Sequence, residues 1–426
     1  MLIAGIFVAM LLMICINIPI AVALAMCGVL GLLFTEGPDS LVSIALDMYD
    51  GSTKFSLIAI PMFVLAGAIM NAGGITDRLI NFVTSIIGFI RGGLAMVNIG
   101  VSLFFAEISG SAVADVAAMG SILIPQMKKR GYSKEFSAAV TSSSASLAII
   151  IPPSIPMILY AASANTSVEQ LFVAGIVPGL LGAFGLMLVA YLFAKRYNFP
   201  TEAAFNFGRM RETFVDALPA FTLPVIILGG IFGGYVTATE AAGLAVLASL
   251  VVSAWYGNLD FSHLRRAMLD GGIQTAVVML LVAASVLMGG FLTRAQIPQQ
   301  LAEGILSITT QQWAILLILN FFFLIIGFFL HSAAAIILVI PIVIPLITAA
   351  GIDPVHFGLV VTLNLAIGQQ TPPVASVLIT ACSVARANIW EVSKVNIWFV
   401  GVLLLVLILC TYVPAVPMFL VEYFYR

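Results

Sequence analysis

Charge is scarce in this chain. Asp, Glu, Lys and Arg make up only 8% of its 426 residues, against roughly 25% in a soluble globular domain. With 17 basic and 19 acidic residues the net charge is −2, which gives no case for nucleic acid. The four cysteines (Cys15, Cys27, Cys382, Cys410) lie scattered in apolar runs without metal-ligand spacing. They read as buried small hydrophobes, because free cysteine packs that way. The three histidines (His263, His331, His356) form no cluster either. There is no HExxH pair, no phosphate-binding glycine loop and no nucleophile elbow. An enzyme and an ATP-driven pump are therefore not expected, and transport energy would come from an ion gradient. The stretch 2–14 has no basic segment ahead of it and reads as a membrane segment, not a cleaved signal.

What is abundant is hydrocarbon. Hydrophobic residues make up 62% of the chain, and apolar runs of about 20 residues recur along it, as bilayer-spanning helices require. An all-α polytopic membrane protein with no separate soluble domain is expected, with the lipid bilayer as its solvent.

Two runs break this pattern in the same way. TSSSASLAIIIPPSIP (141–156) and VTLNLAIGQQTPPVAS (361–376) each bring polar and small residues to a Pro-Pro pair, 220 positions apart (152 to 372). Proline lacks the backbone donor and pushes its predecessor out of helix, so each apolar segment breaks mid-course. Broken backbone survives in hydrocarbon only where protein or a water-filled cavity surrounds it. Two broken helices in corresponding halves point to a transporter's central binding site.

Other segments keep nearly the same offset. The stretch 17–33 parallels 237–253. ITDRLINFVTSIIGFI (75–90) puts Leu79, Ile80, Val83, Ile86 and Ile87 on one face and Asp77, Asn81 and Thr84 off it, which suits an arm lying along the interface. Its counterpart is 297–310. In 92–127 each apolar flank of Glu107-Ile108-Ser109-Gly110-Ser111 is too short to cross roughly 30 Å. A re-entrant hairpin fits, with a twin at 313–349 whose tip is Phe329-Leu330-His331-Ser332. Arg91 and Lys128-Lys129-Arg130 flank the first hairpin, while the second has no basic flank, so the two should open to opposite faces. That makes an inverted repeat. Residues 1–215 hold scaffold helices (1–74), an arm (75–90), a hairpin (91–130), a broken helix (133–165), a helix (171–194) and a cytoplasmic linker (195–215). Residues 216–426 hold scaffold helices (216–294), an arm (295–311), a hairpin (312–350), a broken helix (354–386) and a final helix (395–424). Both termini come out external.

Each hairpin tip should face its broken helix and form a polar cluster near the midplane. One cluster is Ser109, Gly110 and Ser111 with Ser144, Ser146, Ala148 and the carbonyls before Pro152. The other is Leu330, His331 and Ser332 with Gly368, Gln370 and Thr371. Unwound carbonyls and half-helix ends can supply the oxygens that sodium wants, and helix N-termini favour an anionic substrate. The substrate candidates are Ser111, Ser154, Ser332, Gln369, Thr371 and Pro372. Any one of these small polar residues also suits plain close packing of helices. Glu107 is either a brace for the hairpin or a functional group. Asp115 fits a charge at the start of the second hairpin helix. His331 can titrate or simply hydrogen-bond.

SLIAIPMFVLAGAIMNAGG (56–74), FFAEISGSAVADVAAMGSILIPQM (104–127), IIIPPSIPMILYA (149–161), GGYVTATEAAG (233–243) and GQQTPPVA (368–375) together resemble the large membrane subunit of the tripartite ATP-independent periplasmic (TRAP) transporters. The likeness runs over nearly the whole chain. It implies a bacterial inner-membrane protein of elevator-type ion-transporter fold, with no cofactor and Na+ as coupling ion. It implies import of an organic acid (a C4-dicarboxylate, sialic acid or a related carboxylate) delivered by a periplasmic binding protein. It also implies a separate small four-helix membrane subunit, since no such segment precedes Met1. Ala238 stands before Thr239-Glu240-Ala241 where many relatives have proline. The rival readings are a stand-alone sodium/carboxylate symporter and an intramembrane enzyme.

Overall fold

The computed structural model describes residues 2–16, 18–201, 204–258 and 260–425, and among them it is helical with no strand. The side chains of Cys15, Glu107, Ser109 and His263 lie outside the described residues. Among the described residues, eight helices are long and apolar enough to cross a membrane.

The halves of the chain interlock by exchange. Ile20–Glu36 packs along Phe261–Arg294, and Ala59–Ala72 packs along Ala238–Trp255 and the same long helix. The first contact is close enough that a Cβ on Gly28 would lie 2.8 Å from the Met288 nitrogen. Arg294 holds this bundle by pairing with Glu36 at 2.6 Å and Asp47 at 3.2 Å. Ile75–Ile87 is the first arm, entered through left-handed Gly74. Its apolar face is buried as the pattern predicts: Ile75, Leu79, Ile80 and Val83 lie inside while Asp77 and Asn81 face out. Arg78, on that arm, pairs with Asp216 and stacks 3.7 Å over the Tyr256 ring. The second arm is Ile297–Ile308.

Both re-entrant hairpins form. The first is Gly93–Ser109 and Ala112–Lys129, turning at Gly110 with φ +57. The second is Gln312–Phe329 and Ser332–Ala349. Both broken helices form as well. One runs Lys134–Ala145, tightens into a 3-10 turn at Ser146–Ile149, and resumes as Ile155–Ala164. The other is Pro354–Gly368 and Ser376–Ala385. Pro152-Pro153 and Pro372-Pro373 are both cis. Ser154 restarts the first helix by accepting the Met157 amide.

Opposite sidedness is visible in which ends meet. At one end the Tyr132 ring lies 4.5 Å from Phe199, Phe193 stacks on Phe399, and Lys128 Nζ donates to the Ala385 carbonyl. Residues 128–130, Lys195, Arg196, Arg386 and Lys394 therefore share that end. At the other end Gln312 Nε2 closes the second hairpin onto the Ala350 and Gly351 carbonyls, and His356 bonds the Cys410 carbonyl. The hairpins open to opposite ends of the molecule.

Several elements differ from the sequence reading, among them Phe207–Pro224, which begins inside the stretch expected as a linker at 195–215. The closing segment expected as one helix at 395–424 is two, Ile389–Tyr412 and Ala415–Tyr425, because Pro414 cannot continue the ladder. Ser40–Ser52 adds a helix among the scaffold segments that the pattern did not single out. The helix expected at 171–194 runs Val168–Arg196, capped by Ser167.

Candidate functional site

Each hairpin tip lies against the break of its own half. At the first, a Cβ on Gly110 would sit 2.9 Å from the Pro153 carbonyl oxygen and 3.1 Å from the Ile155 nitrogen. Glycine at this left-handed position lets backbone meet backbone, as a close approach of this kind requires. At the second, the Val374 and Ala375 amides both point at the Phe328 carbonyl, at 3.3 and 3.4 Å. Just behind it, Gly327 and Gly368 press together so tightly that a Cβ on Gly368 would lie 2.5 Å from the Gly327 Cα.

The polar run ahead of the first break is buried on all sides. Thr141, Ser142, Ser143, Ser144 and Ser146 are at most 1% exposed, so every hydroxyl needs a partner. Ser144 donates to Asn98 Oδ1 at 3.1 Å and receives Ser102 at 2.9 Å, while Asn98 Nδ2 donates to Thr141 at 2.7 Å. This stitches the first hairpin to the first broken helix. The second half repeats the stitch with other residues: Asn364 Nδ2 donates to Asn320 Oδ1 at 2.7 Å, and Asn320 Nδ2 to Thr411 Oγ1 at 3.2 Å. Asn364 Oδ1 is buried without a partner among the described residues.

The two breaks are joined by one side chain. Gln370 Oε1 accepts from Ser142 Oγ at 2.8 Å and from Asn396 Nδ2 at 3.2 Å, and it lies 3.5 Å from Ser143 Oγ. Its Nε2 donates to the Ser142 carbonyl at 2.8 Å and to Ser146 Oγ. Ser143 in turn donates to Asn396 Oδ1 at 2.7 Å. Hairpin helix Ala112–Lys129 packs on Ser376–Ala385, and Ser332–Ala349 packs on Ile155–Ala164, so each hairpin also touches the far half's resumed helix.

The expected residues therefore fall into three groups. Each tip meets its own broken helix, but beyond the Pro-Pro pair and not before it as expected: Gly110 lies at the 153–155 turn and the Phe328 end of the second hairpin at 374–375. Half-buried Ser111, Leu330, His331, Thr371 and Pro372 lie at these two junctions, with Thr371 donating to the Ile367 carbonyl and the His331 ring accepting the Ala333 amide. Ser144, Ser146 and Gln370 are instead committed to each other's helices and to Asn98. Ser154 donates to the Ile149 carbonyl, and Gln369 accepts from Ser376 while donating to the Leu365 carbonyl. Ser332, Ala148 and Gly368 are buried. Asp115 is also buried, in the first turn of its helix.

Sequence reasoning missed Asn98, Asn320, Asn364 and Asn396. A signal was there: Ser144 and Asn364 occupy corresponding places in the two broken helices, 220 positions apart, and Asn98 and Asn320 lie within two positions of corresponding places in the two hairpin helices. Amides inside membrane helices are rarely placed without a partner.

Residues 7–416 match the family described as tripartite ATP-independent periplasmic transporter, DctM component. The chain is 38% identical over 409 residues to the isethionate TRAP transporter permease protein DctMQ of Oleidesulfovibrio alaskensis, covering 95% of this chain and 64% of that one. It is 38% identical over 397 residues to the C4-dicarboxylate TRAP transporter large permease protein DctM of Pseudomonas aeruginosa, covering 93% of each. In fold it is similar to the crystal structure of the Alcanivorax borkumensis YdaH transporter, with a TM-score of 0.67 over 89% of both chains at 14% identity.

Proposed function

This chain belongs to the DctM component family of tripartite ATP-independent periplasmic transporters, and from that premise we propose that it imports a small organic acid into the cell, driven by inward sodium. The acid is delivered by a periplasmic binding protein, and a small membrane subunit completes the assembly. Relatives whose names specify isethionate and C4-dicarboxylate favour a substrate defined by anionic oxygens, sulfonate or carboxylate. The finer choice falls to the binding protein.

The observation that carries this reading is the pair of tip-to-break junctions, one per half, held together by Gln370. At each junction the backbone leaves helix among small and polar residues, which is where unwound carbonyls can ligate a hard cation. Sodium sits at Gly110–Ser111 with the break at 148–153, and at 330–332 with 368–371. The anionic end of the substrate lies between them, beside Ser111, Thr371 and Pro372.

Hairpins and broken helices move as one unit against the scaffold. Their polar stitching is dense and internal. Polar contacts from scaffold to this unit are sparser, such as Lys54 Nζ to the Ala162 carbonyl at 2.8 Å. The two arms carry the connection.

The test is uptake of labelled organic acids into proteoliposomes under imposed sodium gradients, with binding protein and small subunit added or omitted. Uptake is expected only with all components and inward sodium. Ser111→Ala and Thr371→Ala are expected to raise the half-saturating sodium concentration about tenfold each, the scale of one lost bond to a charged group. Uptake without the binding protein would replace this reading with a stand-alone symporter. Unchanged sodium dependence in both variants would remove the ion sites.

A further inference from the structure

The basic end of the molecule carries a groove that the transport site does not use. It lies where the last turns of Val168–Arg196 meet the first turns of Ile389–Tyr412, and it encloses about 500 Å3. Its walls are apolar, from Val189, Leu192, Val395 and Trp398, and its mouth holds two cations, Arg196 and Lys394. Trp398 is 63% exposed and Leu192 is 54% exposed. In a bilayer these side chains face acyl chains.

From this we infer that the groove is a selective site for an acidic phospholipid, its phosphate between Arg196 and Lys394 and one acyl chain against Trp398 and Leu192. Three observations carry the assignment. An apolar trough with charge at one end only has the polarity of a single phospholipid. Both cations sit at the end of the molecule where the basic residues gather, the face at which anionic leaflets attract Lys and Arg. Arg196 has no carboxylate partner among the described residues and lies over the Tyr197 ring at 5.9 Å. Lys394 pairs with Glu391 at 2.8 Å, but both side chains are largely exposed, and such pairs are weak enough to yield to a phosphate. The wall itself is firm, since Phe193 stacks on both Tyr197 and Phe399.

Trp398 supplies the probe. A variant retaining Trp398 alone, with Trp255, Trp313 and Trp390 changed to Phe, is reconstituted in vesicles containing dibrominated phosphatidylglycerol or dibrominated phosphatidylcholine. Its fluorescence should be quenched at a several-fold lower mole fraction of the acidic lipid. A variant retaining only Trp313, at the opposite end beside the second hairpin's mouth, should show no headgroup preference. Arg196→Gln and Lys394→Gln should each reduce the preference by about fivefold, the attraction of one basic side chain near an anionic surface. The pair Arg196→Lys and Lys394→Arg should keep it. Equal quenching by both lipids, or a preference surviving the double Gln variant, overturns the proposal. So does loss of the preference in millimolar inorganic phosphate, which would make this a free-anion site. Shielding of Trp398 from both lipids by the small subunit would make it a protein interface instead.

Discussion

Gly368→Val should abolish the folded transporter, with no monodisperse peak in detergent and no uptake. A Cβ at 368 would lie 2.5 Å from the Gly327 Cα and 2.6 Å from its carbonyl carbon. Those are backbone atoms, so no rotamer change relieves the overlap. The hairpin and the broken helix must separate, and the amides of Val374 and Ala375, aimed at the Phe328 carbonyl only a residue beyond, separate with them. Overpacking a core typically costs about 1–3 kcal/mol when side chains can adjust, and here the adjustment falls on two helices. The contact is not symmetric. A Cβ at 327 would meet the Gly368 Cα at 3.0 Å, a distance that a shift of a few tenths of an ångström relieves. Gly327→Ala should therefore lower the unfolding midpoint measurably while retaining uptake, and Gly368→Ala should be the more damaging of the two. Equal, mild effects at both positions would mean that the hairpin and broken helix do not touch there.

How far the sequence reaches is clearest at these breaks. Pro152-Pro153 and Pro372-Pro373 act locally, through a missing donor and a restricted predecessor, so the interruptions were legible without any tertiary knowledge. So was the buried face of the first arm, because helical periodicity is a property of the segment itself. Gly110 showed the first hairpin's turn in the same way. The closing helix was read straight through Pro414 although that proline carried its own warning. What could not be read is which polar residue meets which. Ser144 and Ser146 looked like ligands because they stand beside a break. Their partners, Asn98 and Gln370, lie on other segments, and only packing register decides that those side chains arrive first. Gln370 and Ser142 are 228 residues apart in sequence. No local pattern encodes that meeting.

That meeting predicts the second large effect. Gln370→Leu should lower the unfolding midpoint sharply and stop uptake, whatever the sodium concentration. Leucine keeps most of the volume, so the loss is polar. It strips a partner from the Ser142 carbonyl and hydroxyl, from Ser146 and from Asn396, all in a region at most 1% exposed. The Ser142 hydroxyl loses its bond outright, and a buried group left unpaired costs about 1–3 kcal/mol, while the Ser142 carbonyl keeps the Ser146 amide and hydroxyl and Asn396 Nδ2 keeps the Gln370 carbonyl. Ser142→Ala removes a single hydroxyl and should cost about 1 kcal/mol. In the double variant the two effects should fall short of additive, because the residues share one network. Sodium separates this tie from the ion-ligand role first read for Gln370. A ligand that binds only the folded state raises the midpoint by mass action. If Gln370 held sodium, Gln370→Leu would match the parent protein without sodium and lose only the sodium-dependent rise. If it ties the two breaks together, the midpoint falls in sodium-free buffer too. The direct bonds from Gln370 to both Ser142 and Ser146 favour the second outcome.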